Sequence, residues 1–301
     1  MPVDLQALSA RLIHLILDTV FVVDRDNQIV FVSDACEDLL GYRAEELIGT
    51  TITDYMHPED LAASLASIVR VMEGKPHVDF RNRYIRKDGG VVYILWSAHW
   101  VEEEGVRIGV ARDVTTLRQA EEELRFLAHH DPLTGLTNRS LFYDRLDLAL
   151  HSAHRYQNHL ALLFLDINDF KVINDVHGHA VGDRVLCTIA RRLEGCVRET
   201  DTVARMGGDE FIVLLTDIQV EGAVSRKVEG IQSAMDEPLG AEFGGIIPSC
   251  SIGVACYPAD GEDADTLLSR ADGEMYRVKR KRGEVRGSDL GNVRKNRKKP
   301  V

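Results

Sequence analysis

Two kinds of hydrophobic pattern alternate along the chain. Residues 20–33, VFVVDRDNQIVFVS, are two β-rich runs joined by a polar Asp24-Arg25-Asp26-Asn27 turn, which predicts a hairpin. Pro58, Glu59 and Asp60 then open an apolar-periodic stretch (Leu61, Leu65, Ile68, Val69, Met72) that stops at Gly74. Proline near the start and glycine just past the end predict a helix between them. Three strand-like runs follow at 78–86, 91–98 and 106–112, separated by KDGG at 87–90 and EEEG at 102–105. About five strands with intervening helices in roughly 110 residues predict a small α+β sheet domain.

Residues 113–130 contain neither Gly nor Pro and space Leu117, Ala120, Leu124 and Leu127 by three, four and three. That is a heptad seam on a connecting helix. Two heptads are too short to hold a coiled coil alone, yet they suit a helix that joins two dimerising domains; a rigid spacer is the plainer alternative. From 131 onward the pattern predicts a helix from near Asn138, a buried strand at 160–166 and a helix at 182–197. Strands at 201–206 and 210–216 flank a Gly-Gly turn, followed by a helix at 221–236, a strand near 248–256 and a final helix at 263–282. The order β-α-β-β-α-β predicts a ferredoxin-like α+β arrangement with extra helices, which by itself implies no function.

Length agrees with this division, since 301 residues suit two domains. With 36 basic and 48 acidic side chains, a net charge of −12 and 45% apolar residues, the chain reads as soluble and globular, not as a disordered protein or a duplex-DNA binder. The mean hides a gradient. Residues 277–301 hold 11 of the basic and 2 of the acidic side chains, a net of +9 against −21 for the rest. A Lys/Arg run without interleaved aromatics reads as a solvated tail, so no nucleic-acid polymer is expected as a partner. Five cysteines, at 36, 187, 196, 250 and 256, form no CxxC pair and suggest neither a disulfide framework nor a zinc ribbon. Leu12 to Val23 is short and broken by His14 and Asp18, and Asp4 is wrong for a signal peptide. The expectation is a cytoplasmic protein without a membrane segment.

Candidate chemistry gathers in the second half. Asp166 ends an apolar run, so its carboxylate should emerge at the end of a central strand. Gly207-Gly208 allows a tight reversal and a close approach of backbone to a ligand, with Asp209 and Glu210 beside it. If the strands carrying Asp166 and Asp209 are neighbours, the carboxylates form an oxygen-rich pocket suited to Mg²⁺ with substrate phosphates.

The N-terminal half resembles a PAS sensor domain through VFVVDRDNQIVFVSDACEDLLGYRAEELIG (20–49), MHPED (56–60), RKDGG (86–90) and GVARDVT (109–115). The resemblance implies a cavity between sheet and helices for a ligand or cofactor, whose identity is left open. Cys36 lies away from the reactive cysteine of light-sensing members, which speaks against flavin photochemistry. His57, His77 and His99 are weak haem candidates, and Trp96 reads as a core aromatic before a flavin platform.

The second half resembles the GGDEF family of diguanylate cyclases through RMGGDEF (205–211), together with DPLTGLTNR (131–139), LDINDFKVINDVHGHAVGDRVL (165–186), SIGVACYP (251–258) and ADGEMYRVK (271–279). It implies condensation of two GTP into cyclic di-GMP with release of two pyrophosphates. It also implies Mg²⁺ (with Mn²⁺ as an alternative) at Asp166, the Ile167 carbonyl and Asp209. Asp209 or Glu210 would be the general base and Lys171 a phosphate contact. Asn174 and Asp183 would read guanine, with His179, Gly207, Gly208 and Lys279 as further substrate contacts. Product would inhibit through Arg198 and Asp201 of an RxxD sequence. Such a reaction needs two half-sites, hence a homodimer. The family's ending is Lys, two variable residues and Gly-Arg-Asn, whereas this chain reads Lys279-Arg280-Lys281-Arg282-Gly283-Glu284, so Arg280, Arg282 or Arg286 must supply the missing cation. A non-catalytic GTP or cyclic di-GMP receptor is the alternative function. A phosphodiesterase lacks room in the 18 residues after 283. The expected organisation is a PAS domain at 1–116, a signalling helix at 117–130, a cyclase domain at 131–287 and a disordered basic tail at 288–301.

Overall fold

The computed structural model describes residues 18–218, 222–240, 243 and 245–295, with side chains as far as 282. The apolar stretch from Leu12 lies mostly outside the described residues. The chain divides into two compact units at Glu123/Leu124, inside the connecting helix.

In the first unit, strands β1 (Thr19–Asp24), β2 (Ile29–Val32), β3 (His77–Ile85), β4 (Val91–Val101) and β5 (Val106–Asp113) form one sheet in the order β2-β1-β5-β4-β3. Every pairing is antiparallel. Between β2 and β3 lie the short helices α1 (Cys36–Leu40) and α2 (Ala44–Leu47), two single 3₁₀ turns, and α3 (Leu61–Met72). Pro58 stands in the 3₁₀ turn that leads into α3, and Gly74 follows its end with φ +78°, as the sequence signals require. At that entry Arg83 grips the Asp60 carboxylate through Nε (2.9 Å) and Nη2 (2.7 Å), tying β3 to the start of α3. One face of the sheet closes over Phe21, Ile29, Leu40, Leu47, Tyr84 and Ile94. The inward positions of β5 alternate as Arg107, Gly109 and Ala111, so an arginine occupies a core-facing place.

The linking helix α4 (Thr115–His129) buries none of its residues; Leu117 is 59% and Leu124 67% exposed.

In the second unit, α5 (Arg139–Tyr156) starts at the Asn138 N-cap, whose Oδ1 accepts the Leu141 amide. Strands β6 (Leu160–Ile167), β7 (Thr202–Gly207), β8 (Glu210–Leu215) and β9 (Cys250–Tyr257) form an antiparallel sheet in the order β7-β8-β6-β9. Between β6 and β7 come α6 (Phe170–His177) and α7 (His179–Gly195); α8 (Ala223–Met235) precedes β9 and α9 (Ala264–Lys295) follows it. This is the ferredoxin-like order, with α5 and α9 added on the second face.

Strand β6 is apolar except for Asp166, because both faces are covered. Ala161, Leu163, Leu165 and Ile167 pack toward α7 and α8, while Leu160 and Leu162 pack toward Phe142, Leu146 and Leu150 of α5 and Leu267 and Ala271 of α9. Period two therefore aims Asp166 toward α9. Two boundaries differ from expectation. The two-turn helix α6 is not among the expected elements: Phe170 with Ile173 and Val172 with Val176 keep helical spacing, but eight residues are too few for that spacing to stand out. Helix α9 runs on to Lys295, so 288–295, expected as an irregular tail, has helical backbone, consistent with its Lys and Arg content and the absence of proline before Pro300; 296–301 lie outside the described residues.

Candidate active site

Asp166, at the end of β6, sits directly opposite Glu210 at the start of β8 and opposite Ser251 of β9. The Asp209 carbonyl accepts the Ile167 amide at 3.2 Å, so the signature turn folds back over the end of β6. Gly208 takes φ +54° there, a conformation that a side chain would strain. Lys279, from α9, donates Nζ to Asp166 Oδ1 at 2.6 Å. This contact depends on Gly253 of β9: a Cβ there would overlap the Ala271 carbonyl and the backbone of Met275, so glycine lets α9 lie flat against the sheet.

Negative charge is crowded here. Burial pushes the Asp209 carboxyl above the usual carboxylate range, the Asp166 charge pushes the same way, and Lys279 and Arg205 pull against them. Glu210 is raised for the same reasons, first by burial and then by Asp166, Asp209 and Asp272. A lysine on Asp166 leaves this cluster of acids only partly neutralised.

The turn has a brace that motif reading alone did not single out. Arg205 donates Nε (3.1 Å) and Nη2 (2.8 Å) to the Gly208 carbonyl and Nη1 to both Asp131 oxygens (3.0 and 3.1 Å). Asp131 Oδ1 also accepts the Thr134 amide and hydroxyl. Burial would raise the Asp131 carboxyl, but Thr134 and Arg205 outweigh it and hold it below its ordinary value. The DPLT and RMGGDEF segments are thus one structure. Asn168 is a second such residue; buried, it accepts the Ser251 hydroxyl and donates to Ser249, fastening β6 to β9.

Asn174 on α6 stands against Gly182 on α7, where a Cβ would overlap the Asn174 amide oxygen. That oxygen is buried and has no hydrogen-bond partner among the described residues. Asp183, next in sequence, is exposed, as are Lys171 and His179. Lys171 and His179 make no contact with the acidic cluster among the hydrogen bonds and ion pairs of the described residues. Arg282, one turn beyond Lys279, lies close enough for its charge to pull the Cys250 thiol down against burial, which still holds that thiol at about 12. Cys250 pairs with Ile167 at the end of β6, so Arg282 lies near the same end of the sheet as Asp166.

Arg198 and Asp201 lie elsewhere, lining a cavity of about 460 Å³ with Thr216, Arg226 and Lys227. The Asp201 carboxylate is held by the Arg198 and Thr216 amides.

Comparison with known proteins settles the lineage. The profile for the diguanylate cyclase GGDEF domain matches residues 128–284, and a diguanylate cyclase of Vibrio cholerae is 32% identical over 267 residues, covering 87% of this chain and 83% of that protein. The chain belongs to the GGDEF family of diguanylate cyclases. The PAS fold profile matches residues 29–111, so a PAS domain precedes the GGDEF domain. Diguanylate cyclase TpbB of Pseudomonas aeruginosa is 42% identical over 180 residues, and the chain spans 41% of its length. The crystallographic GGDEF domain of TpbB (YfiN) is 42% identical, with 49% of this chain and 92% of that one covered and a TM-score of 0.48. Among the described residues, no helix is long and apolar enough to cross a membrane.

Proposed function

We propose that this chain is a cytoplasmic diguanylate cyclase that condenses two GTP into cyclic di-GMP, releasing two pyrophosphates, under the control of its PAS domain. The observation that carries the reading is the meeting of Asp166, Asp209, Glu210 and Lys279 at one end of a sheet in a GGDEF-family domain.

The donor set suits a hard cation. Asp166 and Asp209 crowd negative charge, and the Ile167 carbonyl stands beside them. Among the described residues no three His, Cys, Asp or Glu side chains are grouped as a metal ligand set. Mg²⁺ is the ion for such a site, because it takes one or two carboxylates and completes its shell with water and phosphate. When bound, it supplies charge shielding for the triphosphate and lowers the pKa of the attacking 3′-hydroxyl. Asp209, or Glu210 beside it, accepts the proton as that hydroxyl attacks the α-phosphorus of the other GTP. Lys279, held beside Asp166, would serve as a phosphate contact, and Lys171 would offset charge on the same groups. Arg282 takes the place of the family's terminal arginine. The orphaned Asn174 oxygen accepts a guanine N–H, and Asp183 accepts another. His179, Gly207 and Gly208 line the nucleotide.

Each half-site holds one GTP and the product is two-fold symmetric, so catalysis takes place between two copies. The exposed Leu117 and Leu124 of α4 form the seam through which PAS state biases their encounter. The Arg198–Asp201 cavity is the inhibitory product site, with Lys227 and Arg226 as additional cations.

Purified protein incubated with GTP and Mg²⁺ should yield cyclic di-GMP, and the Asp209→Ala/Glu210→Ala double variant should yield none. Nucleotide binding without product in the unaltered protein would replace the cyclase by a receptor.

A further inference from the structure

The PAS unit encloses a cavity of about 50 Å³ lined by Phe21, Val23 and Ile68 on its apolar side and by Asn82, Trp96 and Arg107 among its polar groups. None of its lining residues is a histidine, so His57, His77 and His99 do not face it. Most of the polar wall is satisfied internally: Trp96 Nε1 donates to Asn82 Oδ1 (2.9 Å), Asn82 Nδ2 donates to Ser64 Oγ (2.8 Å), and Ser64 donates to the Asp60 carbonyl (2.8 Å).

Arg107 is the exception. It is 6% exposed, Nη2 makes one long hydrogen bond to Asn27 Oδ1 (3.3 Å), and Nη1 is buried with no partner. Asp24, the acid whose charge reaches it, spends one carboxylate oxygen on the Asp26 and Gln28 amides. A guanidinium keeps its proton in any protein setting, and a buried cation without a counter-charge is strongly unfavourable. The neighbouring inward positions, Gly109 and Ala111, are small; the open side of Gly109 is filled by the Trp96 ring, which a Cβ there would crowd at 3.1 Å. The arginine therefore borders the cavity beside the Trp96 ring that packs on Gly109.

We infer that the PAS cavity is a receptor for a small monocarboxylate whose carboxylate pairs with Arg107 and whose short hydrocarbon body lies against Phe21, Val23 and Ile68. One unpaired nitrogen matches a single carboxylate better than a phosphate, which needs more donors. A cavity of this size holds roughly three or four waters, hence an acid of about two to four carbons. The inference is independent of the cyclase reading, because its groups all lie in the PAS unit.

The chain has two tryptophans, and Trp100→Phe leaves Trp96 as a reporter inside the cavity. Full-length Trp100→Phe protein is titrated with acetate, propionate and butyrate, with propionamide and ionic-strength-matched chloride in parallel. The expected result is a saturable change in Trp96 emission with the carboxylates, at least tenfold weaker with the amide and absent with chloride. Arg107→Met, which removes the buried charge at similar volume, should fold with an unchanged far-ultraviolet circular dichroism spectrum and lose the response, while Arg107→Lys should retain part of it. An unchanged titration in Arg107→Met, an equal response to chloride or propionamide, or no saturation with any carboxylate through the millimolar range would overturn the inference.

Discussion

The two polar interiors of this chain are opposite in sign. At the end of β6 the acids Asp166, Asp209 and Glu210 are met, among the described residues, by Lys279 as the one ion-paired cation. In the PAS cavity Arg107 has one neutral partner and no carboxylate in hydrogen-bond contact. Other part-buried charges among the described residues are matched, as in the Arg83–Asp60 and Arg205–Asp131 pairs. Unmatched buried charge is a stability loss that folding alone does not justify, and it persists where a ligand of opposite sign completes it. On the readings proposed above, each unit is left with a charge that its proposed ligand would complete: a divalent cation with nucleotide in one, an anion in the other.

The sharpest way to break this contrast is to neutralise the acidic side. Asp209→Asn and Glu210→Gln should each lower cyclic di-GMP formation by about 10²-fold or more, measured by chromatography of the products. The same variants should raise the melting temperature of the nucleotide-free protein; a lower one would mean that the acids are not in conflict. Separating Lys279 from Asp166 comes next. Gly253→Ala forces α9 away from β9 and should destabilise the GGDEF domain by roughly 2–3 kcal/mol in denaturant unfolding, leaving the PAS transition unmoved. Gly182→Ala is milder: it displaces the Asn174 amide and should raise KM for GTP about tenfold with kcat little changed.

The smallest effect is in pH dependence, where the two units should differ in sign. Asp209 and Glu210 have raised folded pKa values, so their contribution to stability is full below the unfolded carboxylate range and is lost as pH rises through the folded values. Asp60 in the PAS unit is lowered, chiefly by its hydrogen bonds from Arg83, so its contribution is present above the unfolded value and is lost as pH falls through the folded one. Acidification from neutrality should therefore favour the nucleotide-free active-site region before it weakens the PAS unit. Hydrogen exchange resolved by segment reads both, and Glu210→Gln should flatten the first trend only.

Much of this was legible in the sequence because it is local. Alternation of period two set the strands, Pro58 and Gly74 bounded α3, Asn138 capped α5, and the Gly-Gly pair marked the turn that presents Asp209 and Glu210. Even the opposition of Asp166 and the signature acids followed once the two strands were taken as neighbours. Helix α6 escaped because its helical spacing of Phe170, Ile173, Val172 and Val176 spans only two turns, shorter than the window in which a period is read.

What only the tertiary structure decided are contacts between residues far apart in the chain. Lys279 reaches Asp166 across 113 positions and Arg205 reaches Asp131 across 74, each through the way a helix or loop lies on the sheet. Arg107 reads in sequence as an ordinary strand arginine; its isolation comes from the register that turns it inward and from the bonds that satisfy Asn82, Ser64 and Trp96 with one another. Periodicity and turn chemistry are properties of neighbouring residues and survive in the sequence. Charge balance in an interior depends on which distant groups packing brings within a few ångströms, and that is settled only when the chain is folded.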